Sequence, residues 1–190
     1  MSVRNITLAA TVGLALAGVA SVSLVPANAE TTVMVGGAPM YPSKNIVENA
    51  VNSKDHTTLV AAVKAAGLVD TLMTPGPFTV FAPVNSAFAK LPKGTVDTLL
   101  KPENKGTLTA VLTYHVVAGK HSAAELMSDV KAGGGKTTLK TVQGGTLTVM
   151  QVGRKLEVID AKGDKSTITI ADVNQSNGVI HVVDTVLLPQ

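Results

Sequence analysis

The sequence predicts an α+β domain, with helices in its first half and antiparallel strands in its second. Three features carry that reading. From Ser43 to about Val130 the apolar residues recur at helical spacing; after Gly133-Gly134-Gly135 the period falls to two; and the final run, Gly178 to Leu188, is apolar on both faces except at His181 and Asp184. At 190 residues the chain has room for one domain and a small appendage, and 45% hydrophobic residues supply its core. Aromatic residues make up only 3%, so Phe78, Phe81, Phe88, Tyr41 and Tyr114 are each expected to anchor packing rather than to stack on bases or sugars.

The first thirty residues read as an address. Arg4 precedes the apolar run Ile6 to Val25, and Ala27-Asn28-Ala29 supplies a small-x-small cleavage site before Glu30. Residues 1–29 are therefore expected to be a cleavable signal peptide. The run approaches the ~20 apolar residues that span a bilayer. Gly13, Gly18, Ser21 and Ser23 interrupt it, which favours cleavage over a retained anchor. No permanent membrane anchor is then expected, and the mature protein would be secreted or periplasmic. Residues 30–42, with Gly36-Gly37 and Pro39, lack sustained periodicity and read as a flexible leader; residues 43–190 read as a single domain.

Within that domain, Ile46, Val47, Ala50 and Val51 mark one short helix and Leu59, Val60, Val63 and Ala66 a second, with Asp55 placed to cap it and Gly67 at its C-terminal left-handed position. Thr79 to Ala82, bounded by Pro77 and Pro83, is a buried strand running into a turn, after which Asn85 is expected to cap a helix through Leu91. Leu108, Val111 and Leu112 form one face of a helix ending near Tyr114, and Ser122-Ala123-Ala124-Glu125 has the form of a capping box. Leu147 and Val149, Leu156 and Val158, and Ile168 and Ile170 then alternate with polar residues as hairpin strands do, with turns at Gly144-Gly145, Gly153-Arg154 and Ala161 to Asp164. Gly178 to Leu188 is expected to be a central strand buried on both faces.

Composition and spacing argue against several chemistries. The net charge of +3 comes from lysines scattered among acidic residues, so no nucleic-acid partner is expected. With no cysteine there are no disulfides, thiolate metal sites or Cys nucleophiles. His56, His115, His121 and His181 lack metal-ligand spacing, and no metal or other cofactor is expected. No G-x-S-x-G elbow occurs, and Gly133-Gly134-Gly135-Lys136-Thr137 lacks the leading glycine of a phosphate loop, since Val130 stands there. The chain is not expected to be an enzyme.

Three segments coincide with a known pattern. Thr79-Val-Phe-Ala-Pro-Val-Asn-Ser-Ala-Phe88 is similar to the first signature box of the fasciclin domain family, Leu108 to Gly119 with Tyr114-His115 to its tyrosine-histidine segment, and Asn177-Gly178 through His181 to Pro189 to its second box. The resemblance spans about Ser43 to Gln190. It implies a wedge of antiparallel strands packed against a bundle of short helices, and a non-enzymatic adhesion module that recognises a cell-surface or matrix protein or glycan. In animal members an Asp-Ile pair just before the second box is linked to receptor binding; the matching positions here are Asp172 and Val173. The plainer reading of Asp172 is a turn closed before the last strand. The residues Phe81, Pro83, Asn85, Phe88, Tyr114, His115, Asn177, Gly178 and His181 each also have an architectural reading: rings and turns for the core, and polar tips bonded to buried backbone. An alternative function is carriage of a small apolar or glycan ligand in a pocket between helices and strands, with Met34, Met40, Met73, Met127 and Met150 as candidate lining.

Overall fold

The helices follow the apolar spacing, and two of the seven described open with a local capping box. The computed structural model describes residues 31–190, so the expected signal peptide lies outside the described residues. Helix α1 (Ile46–Ala50) opens with a capping box in which Asn45 accepts from Glu48 N and the Glu48 carboxylate accepts from Asn45 N. Helix α2 (Thr57–Ala66) ends at Gly67, whose φ of 72° is the left-handed stop anticipated for it. Helices α3 (Val69–Met73), α4 (Asn85–Ala89), α5 (Thr95–Leu99) and α6 (Lys105–Tyr114) follow, and α7 (Ala123–Ala132) carries the Ser122/Glu125 capping box. None exceeds ten residues, too short to be stable alone in water, so each depends on packing. Leu59, Ala62 and Ala66 of α2 face the core beside Leu108, Val111 and Leu112 of α6.

The strands are β1 (Val33–Val35), β2 (Ala38–Met40), β3 (Phe78–Pro83), β4 (Val116–Ala118), β5 (Lys136–Lys140), β6 (Thr146–Val152), β7 (Lys155–Ile159), β8 (Lys165–Gln175) and β9 (Gly178–Val183). Seven of them make one sheet in the order β4-β3-β9-β8-β7-β6-β5. The expected wedge of antiparallel strands needs correction on two counts. First, β9 pairs parallel with β3, Phe78 opposite Gly178 through Pro83 opposite Val183. Second, a bridge between Val117 and Thr141 brings β4 to the end of β5, so the sheet curls into a near-barrel. Two register shifts in β8, between Ile168 and Val173, supply the local twist that such curling requires.

The flexible leader also needs correction. Residues 33–40 form the β1–β2 hairpin, and Gly36 and Gly37, with φ of 58° and 76°, supply the two positive-φ positions of a tight hairpin turn. Val35, Ala38 and Met40 are buried in the core. The glycine pair that breaks the periodicity is the turn itself.

Two apolar clusters share β3 and β9 as a common wall. Val80, Ala82, Ile180 and Val182 face the helices, while Phe81 and Val183 face the barrel interior with Tyr114, Leu126, Leu147, Val149 and Val158. The strand period of two explains how one strand feeds both. The Phe81 ring is fully buried and stacks on His181, with ring centroids 5.8 Å apart. Replacing Phe81 by Ala is expected to lower stability by about 3–5 kcal/mol, read from chemical denaturation; an unchanged midpoint would remove that ring from the core.

Candidate functional site

The polar residues of the three motifs are held by backbone groups. Asn177 Oδ1 accepts from Ile46 N at 3.1 Å, and its Nδ2 donates to Leu72 O at 2.8 Å and Thr74 O at 3.0 Å, which ties the start of α1 to the end of α3. Gly178 beside it cannot be replaced cheaply, because a Cβ there would lie 2.1 Å from the Phe78 carbonyl oxygen. Asn85 does not cap its own helix, for which Val84 holds the cap position. Its Oδ1 instead accepts from Thr58 N at 3.0 Å and its Nδ2 donates to Lys54 O at 2.9 Å, so Asn85, and not Asp55, satisfies the start of α2. Pro83 ends β3, and Phe88 packs in the helical cluster.

Tyr114 and the two buried motif histidines are similarly engaged. The Tyr114 hydroxyl donates to Thr146 O at 2.7 Å and accepts from Ala161 N at 2.9 Å, joining α6 to two barrel turns. His115 Nδ1 donates to Val111 O at 2.8 Å while Nε2 accepts from Leu187 N at 3.0 Å; burial pushes its pKa down to about 4. His181 Nε2 donates to His121 O at 2.8 Å, and its Nδ1 accepts from Asp172 N at 3.3 Å. Burial lowers the His181 pKa as well. Both rings are therefore neutral hydrogen-bond bridges at neutral pH.

Asp172 occupies the irregular part of β8 with φ of 56°, the one non-glycine residue of positive φ among the described residues. Its Oδ1 accepts from Ala123 N at 2.7 Å, at the start of α7. The residue thus links β8, β9 and α7, rather than closing a turn. It borders an open cleft of about 560 Å³ with Lys120, Asn174, Val33 and Pro42. Its neighbour Val173 is 1% exposed and packs in the helical cluster, so only Asp172 of this pair has side-chain surface to offer.

A second concavity lies between the helices and the sheet. It is an apolar cavity of about 90 Å³, walled by Val35 and Met40 of the hairpin, Leu59 and Val60 of α2, and Val80 and Ile180 of the sheet. Of the five methionines considered as lining, Met40 alone reaches it. His56, in the turn just before α2, also lines it. In the sequence His56 is weighed only for ligand spacing, and of the histidines His115 and His181 alone receive an architectural reading. The available signal was a histidine immediately preceding the apolar face of α2.

The Fasciclin domain model matches residues 54–189. The chain belongs to the fasciclin domain family. Relatives support this: the chain is 48% identical over 160 residues to Protein sll1483 of Synechocystis sp., covering 84% of this chain and 82% of that one. It is 35% identical to Immunogenic protein MPB70 of Mycobacterium bovis, covering 100% of this chain and 99% of that protein. Cell surface glycolipoprotein MPB83 of the same species is 37% identical over 74% of this chain and 58% of its own length. Among solved structures, the FAS1 domain pair of the insect cell adhesion molecule fasciclin I superposes with a TM-score of 0.70 at 17% identity, over 84% of this chain and 58% of that chain. That likeness concerns the fold. The fasciclin fold here takes the near-barrel form described above.

Two expectations follow. His115 is ordinarily 6.5 and lies near 4 when folded, so the unfolded chain binds more protons between those values and stability falls as pH drops through them. Thermal unfolding from pH 7 to pH 4 should show a loss of about 3 kcal/mol from this residue, and His115→Gln should flatten that part of the profile. At Asp172, the Ala substitution removes an acceptor from a helix start and places a Cβ-bearing residue without a local hydrogen bond at positive φ. It should cost about 1–2 kcal/mol. Asp172→Asn, which keeps the acceptor and tolerates the left-handed region, should stay close to the parent in denaturant midpoint.

Proposed function

We propose that this fasciclin domain is an extracytoplasmic, non-enzymatic binding module of the adhesion type, recognising a cell-surface or matrix protein or glycan through the cleft bordered by Asp172. The observation that supports it most is the division of labour among its polar groups. Asn85, Tyr114, His115, Asn177 and His181 are committed to backbone partners inside the fold, whereas Asp172, although its Oδ1 accepts from Ala123 N, stays part-exposed beside Lys120 and Asn174 in an open cleft. The motif residues then build the scaffold, and recognition falls to surface side chains positioned by it. Relatives described as a cell surface glycolipoprotein and as a cell adhesion molecule point the same way. Among the described residues no helix is long and apolar enough to cross a membrane.

In this mechanism the strained backbone at Asp172 is held by three elements at once, so the cleft is presented in one geometry and little ordering is needed on binding. Lys120 and Asp172 give it charges of both signs, suited to a polar partner surface. The test is saturable binding of the purified protein to immobilised matrix proteins and glycans, with Asp172→Asn in parallel. Binding that weakens at least severalfold in the variant, with the fold intact, is the expected result. Saturable binding indifferent to the variant would move recognition away from this cleft, and absence of binding to every surface would overturn the adhesion reading.

A further inference from the structure

Along the sequence the basic residues are scattered among acidic ones, but the sheet collects part of them on one face. Residues 136–165 hold six basic residues, Lys136, Lys140, Arg154, Lys155, Lys162 and Lys165, against the acids Glu157, Asp160 and Asp164; that excess of three equals the formal +3 of the whole chain. The registers bring four of the lysines together. Lys136, Met150, Glu157 and Thr167 lie side by side across β5, β6, β7 and β8, and Thr138, Thr148, Ile159 and Lys165 form the next row. Lys140 on β5 and Lys155 on β7 stand on the same face, because residues at even spacing share a side of a sheet. The intervening Leu139, Leu147, Val149 and Val158 point the other way, into the barrel core. All four lysines are exposed.

We propose that this outer face of β5 to β8 binds a linear acidic polysaccharide, a chain of uronic acid or sulfated sugars, through Lys136, Lys140, Lys155 and Lys165. A face that serves solubility alone intersperses charges of both signs. Here Lys136, Lys140 and Lys155 pair with no carboxylate among the described residues. The one acid in the rows, Glu157, has a side chain only 19% exposed, with Oε2 3.8 Å from Lys165 Nζ. Asp160 is buried, its oxygens accepting from Lys162 N, Asp164 N and Leu188 N. The positive charge of the face is therefore left for an outside anion to meet. Thr138, Thr148 and Thr167 stand between the lysines, and their hydroxyls make no hydrogen bond within the described residues. Each offers a donor and an acceptor to sugar hydroxyls.

The shape of the face selects a flexible polymer. The sheet curls around a core of side chains, so its outer side is convex, and neither of the two concavities includes a residue of the rows. A small anion would find no walls there. A rigid duplex or a planar membrane would meet a convex face along a narrow strip. No aromatic ring stands in the rows to stack on bases, and their apolar members Met150 and Ile159 are only half-exposed, which gives lipid little to hold. A linear chain can drape over the curve instead, with its anions falling on successive lysines; Lys136 and Lys140 are about 13 Å apart along β5, at ~3.3 Å per residue. The face shares no residue with the Asp172 cleft and stands independently of it.

The test is binding of the purified protein to polygalacturonate and dextran sulfate, with neutral dextran, a DNA duplex and phosphatidylglycerol vesicles alongside. The protein should bind at least one of the acidic polysaccharides saturably at low salt. Log Kd should then rise against log salt with a slope of about 3, roughly 0.7 for each of four lysines engaged. Neutral dextran should not bind, and duplex and vesicles should bind at least about tenfold more weakly. Combining Lys136→Gln, Lys155→Gln and Lys165→Gln should weaken polysaccharide binding at least about tenfold and lower the slope by about 2. Combining Lys93→Gln, Lys101→Gln and Lys105→Gln, which removes the same charge from the helical half, should leave binding unchanged, as should Asp172→Asn. All six lysines are exposed, so both triple variants should keep the parent melting temperature. Should the first fail to fold, Lys136→Gln alone decides, with an expected fall in slope of about 0.7. No binding to either acidic polysaccharide, equal loss in the two triple variants, or tighter binding of neutral dextran, duplex or vesicles would each overturn the proposal.

Discussion

The parallel ladder between β3 and β9 is the constraint on which the rest of the molecule depends. It sets Phe78 beside Gly178 and Phe81 beside His181, and it makes one two-strand wall serve two apolar clusters. That wall has little tolerance. Gly178 must lack a side chain because the Phe78 carbonyl occupies the space, and the Phe81 ring lies flat enough on His181 to be called stacked. The helices on one side and the barrel on the other are positioned only as well as this pairing is.

The short helices are held at their ends by residues distant in sequence. Asn85 bonds the start of α2, Asn177 bonds the start of α1 and the end of α3, and Asp172 bonds the start of α7. A local cap stabilises a helix whether or not the domain is folded; these bonds exist only once the tertiary structure does. Buried polar side chains here therefore couple elements to one another, and the neutral histidines His115 and His181 do the same between α6 and the C-terminal segment and between β9 and the chain before α7.

Much of this was legible in the sequence, where the signal was local. The Ser122/Glu125 box, the Gly67 stop and the alternating strands after Gly135 each depend on residues a few positions apart, and they fall where the pattern places them. What was not legible depends on distant partners. Asn85 looks like the cap of the helix it begins, and nothing in its neighbourhood reveals that it faces Thr58 instead. The parallel β3–β9 pairing and the closure at Val117 and Thr141 are likewise invisible to periodicity, which reports which face is buried but not which strand lies alongside. At the candidate sites the type of Asp172 was noticed from a resemblance, while its three-way engagement, the burial of Val173 and the place of His56 beside the cavity required the fold.

The strand that completes the sheet is also the last strand in chain order among the described residues. Because β9 lies between β3 and β8 in space, a nascent chain that has not yet supplied Gly178 to Val183 has neither of its two clusters closed and leaves the inner edges of both strands unpaired. The β3–β9 pairing joins residues 100 positions apart, as Phe78 and Gly178 are, and pairing over such separations slows folding. A chain in which β9 has not yet joined the sheet is therefore left without a finished core on either side of that wall.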